Sequence, residues 1–435
     1  MKKQLINGFH ATARPMKREK MDNTLSKIDG RQADAADPLR AFRDKFELPE
    51  GVIYLDGNSL GALPKSVRQR VTKTIGGEWG QQLIRSWNTA DWVHLPQRVG
   101  NRIARLVGAA EGTVVAADST SINLFKVLSA ALNINPGRSK IISERDNFPT
   151  DLYIAEGVVK QVGKGHRLVL ADKSSDIADL LDDDVAALML THVNYRTGYR
   201  HDMAALTKAA QEKGILVIWD LAHTAGAMPV DLTAANADFA IGCGYKYLNG
   251  GPGAPAFVYV HPRHQGGFNQ PLSGWFGHSA PFDFDAAYAP SGGIEQYLCG
   301  TPPVLAMVAL DEALSLWDEV DMTALRAKSE ALCDFFIQEV DGFADAFGLS
   351  LVTPREADRR GSQVSYACDN GYAIMQALIA QGVIGDFRAP DIIRFGFTPL
   401  YLSFSEVAEA VTVLKNILIT RGWDVPEYRI RGAVT

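Results

Sequence analysis

Between about residues 100 and 260 short apolar runs alternate with amphipathic stretches, and this alternation predicts βαβ wiring. VGNRIARLVGA reads as a helix, and DSTSINLFKVLSAAL opens on capping residues and continues with helical periodicity. KIIS, HRLVL, VAALMLTHV, ILVIW, DFAIGC and PAFVYV are short runs rich in β-branched residues. The near-continuous apolarity of ILVIW suits a strand covered on both faces, which is the habit of parallel sheets. DMAALTKAAQEKG, between VAALMLTHV and ILVIW, reads as a helix with Asp202 as N-cap and Gly214 as its stop. The fold class expected is α/β, with an open, mostly parallel central sheet covered by helices.

After Pro302–Pro303 the pattern changes. Residues 304–340 read as one or two long helices. A strand at SQVSYAC follows, then a helix at GYAIMQALIAQG, a strand pair around VIGDF and IIRFGF, and a last helix at SEVAEAVTVLKNIL. These predict a small α+β domain, made of residues 36–90 with 322–435, beside a large domain over 91–321. Residues 1–35 are expected to be a disordered extension, with Met16 or Met21 as alternative starts.

Composition narrows the function classes. A net charge of -6 lacks the basic face that nucleic-acid binding needs. Cys243, Cys299, Cys333 and Cys368 lie far apart with no CxxC pair, which favours reduced thiols in a cytoplasmic protein over disulfides or zinc. No run of eighteen apolar residues appears, so no membrane span is expected. The basic first twenty residues lack the apolar core of a secretory signal.

Asp220 ends the run ILVIWD, and Lys246 follows the later run DFAIGCGY. An aspartate and a lysine at the ends of two buried strands suit pyridoxal 5'-phosphate. The amine forms a Schiff base with the cofactor aldehyde, while the carboxylate keeps the pyridine nitrogen protonated. His223, three positions after Asp220, can stack on the ring, because open α/β sheets bind ligands beyond the carboxyl ends of their strands. A lysine leaving such an apolar, glycine-rich strand is expected to be desolvated, which favours its nucleophilic form. Thr120 and Ser121, at a helix start, are candidate phosphate donors. Phe148 and Asp151 in NFPTD form the next candidate block. Neither GxGxxG after the first strand nor GxxxxGK[ST] occurs, which removes the usual nucleotide readings. His261 and His264 in HPRH lack a third ligand nearby, so no metal site is expected. Arg394, on the apolar run DIIRFGF, needs an anionic partner: a substrate carboxylate, or an internal salt bridge.

The ordered blocks YLDGNSLG, RSWNTADW, NFPTD, WDLAHTAGAMPVDL, GYKYLNGGPGAPAF, GWFGH, GTPPV and DIIRFGFTPLY, from about residue 50 to 400, together resemble kynureninase. The resemblance implies the aspartate aminotransferase-like fold (fold type I) and a homodimer with its active sites between subunits. It also implies hydrolytic cleavage of L-kynurenine to anthranilate and L-alanine in tryptophan degradation. Lys246 resembles the Schiff-base lysine and Asp220 the partner of the pyridine nitrogen. Thr120, Ser121, Phe148, Asp151, Thr191 and His223 match cofactor contacts. Tyr245 matches the tyrosine that reaches the phosphate and takes part in proton transfer. Trp275 and Thr301 match residues completing the neighbouring subunit's phosphate site. Arg394 matches the binder of the substrate carboxylate, and Ser59 would lie near the substrate. Animal members tend to have histidine at the position of Trp87 and asparagine at that of Thr301, and favour 3-hydroxykynurenine. This chain resembles the bacterial type, for which that compound is the weaker substrate. Two alternatives stay open: another fold type I lyase such as a cysteine desulfurase, and a non-catalytic ligand-binding relative.

Overall fold

The computed structural model describes residues 30–267 and 270–432. Its centre is a seven-stranded sheet with spatial order Val114–Ala117, Ala256–Val260, Phe239–Cys243, Leu216–Asp220, Val185–Thr191, Lys140–Glu144 and Arg167–Ala171. Only Ala256–Val260 runs against the rest. The α/β expectation therefore holds, and the carboxyl ends of the other six strands share one edge.

Side-chain alternation explains the double-sided burial. Val217 and Trp219 enter one core, whereas Leu216 and Ile218 enter the other. The second core includes Leu124, Val127 and Leu128 of the helix Thr120–Ile134. The first is continuous with Phe336, Phe395 and Leu414 beneath the C-terminal sheet. The helix Met203–Gln211 is capped by Asp202, whose carboxylate accepts the Ala205 N–H at 3.0 Å. Gly214 turns the chain at a φ of 69°, where a side chain would be strained.

The C-terminal sheet orders Ser350–Leu351, Gln363–Ala367, Ile392–Gly396 and Asp386–Arg388, all antiparallel. Ile53–Tyr54 pairs in parallel with Val383–Ile384, so an early segment joins late ones. The helix Lys65–Lys73 packs against Val304–Leu314. Of the expected extension, residues 1–29 lie outside the described residues. Its last part is a correction: Gly30–Ala36 forms a helix instead of a disordered stretch. The Asp34 carboxylate fastens it by accepting the N–H groups of Phe404 (2.6 Å) and Ser405 (3.1 Å). Among the described residues no helix is long and apolar enough to cross a membrane.

Candidate active site

The carboxyl ends of the strands open onto a cavity of about 620 Å³. Asp220 stands at its floor, in register with Thr191 on one neighbouring strand and Ile241 on the other. The next strand, Phe239–Cys243, delivers Tyr245 and Lys246 to the same cavity. Lys246 is half-buried, not sealed in the core. Its Nζ lies 3.1 Å from His223 Nε2, 6.0 Å from the Phe148 ring centre and 5.8 Å from that of Tyr245. The lysine and the aspartate thus face one space from the same side of the sheet.

Electrostatics divides the roles. Burial raises the Asp220 carboxyl, while Lys246 and the Ala222 N–H, which it accepts at 2.7 Å, act against that rise. Asp151 lies beside it, and burial followed by the Asp220 charge pushes Asp151 well above the carboxylate range. Of the two carboxyls Asp151 is pushed the higher, so it holds a proton more readily than Asp220. Thr191 Oγ1 donates to Asn147 and lies 3.5 Å from Asp151. Burial, then the charges of Lys246 and Arg394, hold the His223 imidazole well below its usual range, hence neutral. Burial, then Cys243 and Asp220, raise the Tyr245 hydroxyl, which stays a phenol.

These residues fit pyridoxal 5'-phosphate. A buried carboxylate calls for a cationic ring nitrogen, and Phe148 keeps an exposed face in the cavity. Thr120 and Ser121 line it as the first two residues of their helix, where backbone N–H groups have no intrahelical acceptor. The cap itself is Ser119, whose hydroxyl accepts the Ile122 N–H.

Arg394 is buried and already engaged. Its Nε donates to Asp386 at 2.8 Å, one Nη pairs with the same carboxylate and with Ser59 Oγ at 2.9 Å, and the other donates to the Tyr195 carbonyl. The internal salt bridge that the sequence left open is present, and Ser59, which lines the cavity, stands between it and that space. Trp87, Trp275 and Thr301 do not line this cavity. Trp87 and Trp275 both pack on Phe276, at 5.9 and 4.7 Å between ring centres, while Trp275 and Thr301 are exposed.

Sequence reasoning missed Asp386, Arg388, Asp56 and Tyr195. Asp386 lies opposite Arg394 across the hairpin that turns at Pro390, so the signal was a register, available only once that turn is known. The HPRH histidines lie elsewhere: His264 Nε2 is 2.7 Å from buried Asp238. Among the described residues no cluster of three metal-ligating side chains occurs.

A parallel sheet with one reversed strand, and a lysine facing an aspartate at its carboxyl edge, defines the fold type I class of pyridoxal-phosphate enzymes. Solved structures agree on the fold. The apo cysteine desulfurase of Thermococcus onnurineus NA1 matches with a TM-score of 0.74 at 19% identity, over 87% of this chain and 98% of that one. A C-DES variant with glycine covalently linked to its PLP cofactor matches at 0.73 and 17% identity, over 86% and 98%. The family model for the kynureninase C-terminal domain matches residues 325–414. Kynureninases of Burkholderia pseudomallei (strain 1106a) and Pseudomonas fluorescens are each 54% identical over 406 residues, 92% of this chain and 98% of the relative. The chain belongs to the kynureninase family.

Proposed function

We propose that this protein is a pyridoxal 5'-phosphate-dependent kynureninase that hydrolyses the Cβ–Cγ bond of L-kynurenine, giving anthranilate and L-alanine. The observation that carries the reading is 54% identity to curated kynureninases over nearly their whole length. The opposed Lys246 and Asp220 support it. When bound, the cofactor supplies an electron-withdrawing ring that stabilises negative charge developing on the substrate.

The chain's own residues do the rest. Asp220 would hold the protonated ring nitrogen, with the higher-titrating Asp151 beside it. Lys246 removes the substrate α-proton, and the neutral His223 beside it accepts from the amine without adding a competing charge. Either Tyr245 or Lys246 returns the proton to the alanyl fragment. Ser119, Thr120 and Ser121 offer helix N-terminal donors to the phosphate. Thr191 orients Asp151, and Phe148 would cover the cofactor ring. Arg394, held in register by Asp386, receives the substrate carboxylate as Ser59 yields the guanidinium edge. Trp275 and Thr301 act on the neighbouring subunit's site in a homodimer, and Trp87 contacts the substrate's aromatic end. With Trp87 and Thr301 in place, 3-hydroxykynurenine is the weaker substrate. The four free cysteines suit a cytoplasmic enzyme.

A desulfurase reading lacks its nucleophile: of the four cysteines only Cys243 lines the cavity, and burial raises its thiol. Purified protein loaded with cofactor should convert kynurenine with a change in absorbance and release anthranilate. A higher kcat/KM on 3-hydroxykynurenine would overturn the preference, and the absence of anthranilate would overturn the function.

A further inference from the structure

Lys126 is a buried cation that the reaction above does not use. It sits on the helix Thr120–Ile134 among Leu124, Val127, Leu128 and Ala130, and its side chain is 0% exposed. A buried ammonium persists only when opposite charge and acceptors compensate it. Two do: Nζ lies 2.5 Å from Asp118 Oδ2 and 2.5 Å from the Tyr297 carbonyl.

Both partners are informative. Asp118 lines the active-site cavity immediately before the helix cap, and its carboxylate is about one third exposed. It adopts a left-handed φ of 45°, fixed also by the Ala256 N–H that its carbonyl accepts at 2.9 Å. An uncompensated carboxylate there would repel any dianion bound at the helix N-terminus. Tyr297 closes the turn Ile294–Tyr297, which leads to Cys299, whose carbonyl accepts the Phe276 N–H at 3.1 Å.

We propose that Lys126 is a positioning residue for the cofactor phosphate: it cancels the Asp118 charge at the mouth of the phosphate-binding helix and locks that lip to the Tyr297 turn. This rests on the cofactor assignment made above. The test uses apoprotein and measures affinity for pyridoxal 5'-phosphate and, separately, for pyridoxal, which lacks the phosphate. Lys126→Met should weaken binding of the phosphorylated form by about tenfold and leave pyridoxal unchanged. Asp118→Asn added to it should return the affinity to within about threefold of the parent, since the charge left behind is gone. A folded Lys126→Met protein that binds as the parent does, or loses both ligands equally, overturns the proposal, as does a double variant no better than the single. If Lys126→Met does not fold, Asp118→Asn alone reads the same charge while keeping an acceptor for Lys126. It should bind the phosphorylated form at least as tightly as the parent, and selective weakening there refutes the idea. A parent that binds neither ligand would instead refute the cofactor assignment.

Discussion

Asp220 ends one strand and Lys246 follows its neighbour, and neither side chain belongs to the apolar cores beneath them, so replacing them tests chemistry more than folding. Lys246→Ala should lower anthranilate release by at least about a thousandfold and remove the visible absorbance of the bound cofactor. Full activity in that variant would refute its assigned role. Asp56 carries the clearest pH dependence. Burial, then Asp386, push its carboxyl up to about 7, against the pull of Arg394 and Ser59. Tyr54, Arg388, Tyr247 and Tyr401 also face it. Asp386 stays ionised, because Arg394 and Arg388 outweigh its burial. As pH rises through about 7, Asp56 gains a charge beside Arg394, and the substrate carboxylate competes with two acids for one guanidinium. KM should therefore climb above that pH in the parent and stay flatter in Asp56→Asn; superimposable KM profiles would remove Asp56 from the account. Stability follows the same sign. A carboxyl raised from 3.8 holds its proton more tightly when folded, so its contribution is present at low pH and lost as pH climbs through about 7. Melting temperatures across that window should fall less for Asp56→Asn. At this scale Asp220, His223 and Lys246 were legible because each follows a buried apolar run. The cluster around Arg394 was not, because it assembles from residues 56, 59, 195, 386 and 388, which only the folded register brings together.

The elements were legible where a two-sided buried run was long enough to stand out. Leu216–Asp220 continues an apolar run from Ile215, whereas Val114–Ala117, though buried on both faces, is only four residues long and half alanine, too short a signal to set it apart from the helices beside it. The turn after Ile53–Tyr54 has a role that its polar sequence conceals. The Gly61 N–H donates to the Tyr245 carbonyl at 2.8 Å, and a Cβ on Gly61 would lie 2.2 Å from the Lys246 carbonyl oxygen. The loop carrying Ser59 is therefore packed backbone to backbone on the segment carrying Lys246, and a methyl group must push the two apart. Gly61→Ala should reduce kcat/KM by about a hundredfold while keeping cofactor absorbance. Parent-like kinetics would mean that the loop moves freely of the lysine. At the far end, Ser403 and Glu406 form a capping box for the helix Phe404–Thr420. Ser403→Ala should lower stability by about 1 kcal/mol in denaturant melts without changing KM, because that cap lies outside the cavity.

On the scale of the whole molecule, the apolar surface is distributed unevenly. Ile75, Trp79, Leu83 and Ile84 are exposed on the segment that follows Lys65–Lys73, and Trp275, Phe282 and Phe284 are exposed on another. The first segment is held in shape from within. The buried Glu78 takes Arg70 at 2.7 Å and the Trp92 indole N–H at 3.2 Å, and its carbonyl accepts the Ser86 hydroxyl at 2.6 Å. A rigid frame that turns large apolar side chains outward has the character of an association surface. The homodimer proposed above would also account for Trp275 and Thr301, which the resemblance assigns to a phosphate site but which miss their own chain's cavity. If the proposed homodimer forms through this segment, Leu83→Asp with Ile84→Asp should shift sedimentation from dimer to monomer with little change in the fold, because both side chains are already exposed. Cofactor affinity and turnover should fall together with dimerisation and recover at high protein concentration, where mass action rebuilds the pair. A variant that remains dimeric, or a monomer that keeps full cofactor affinity, would separate the apolar segment from the active site.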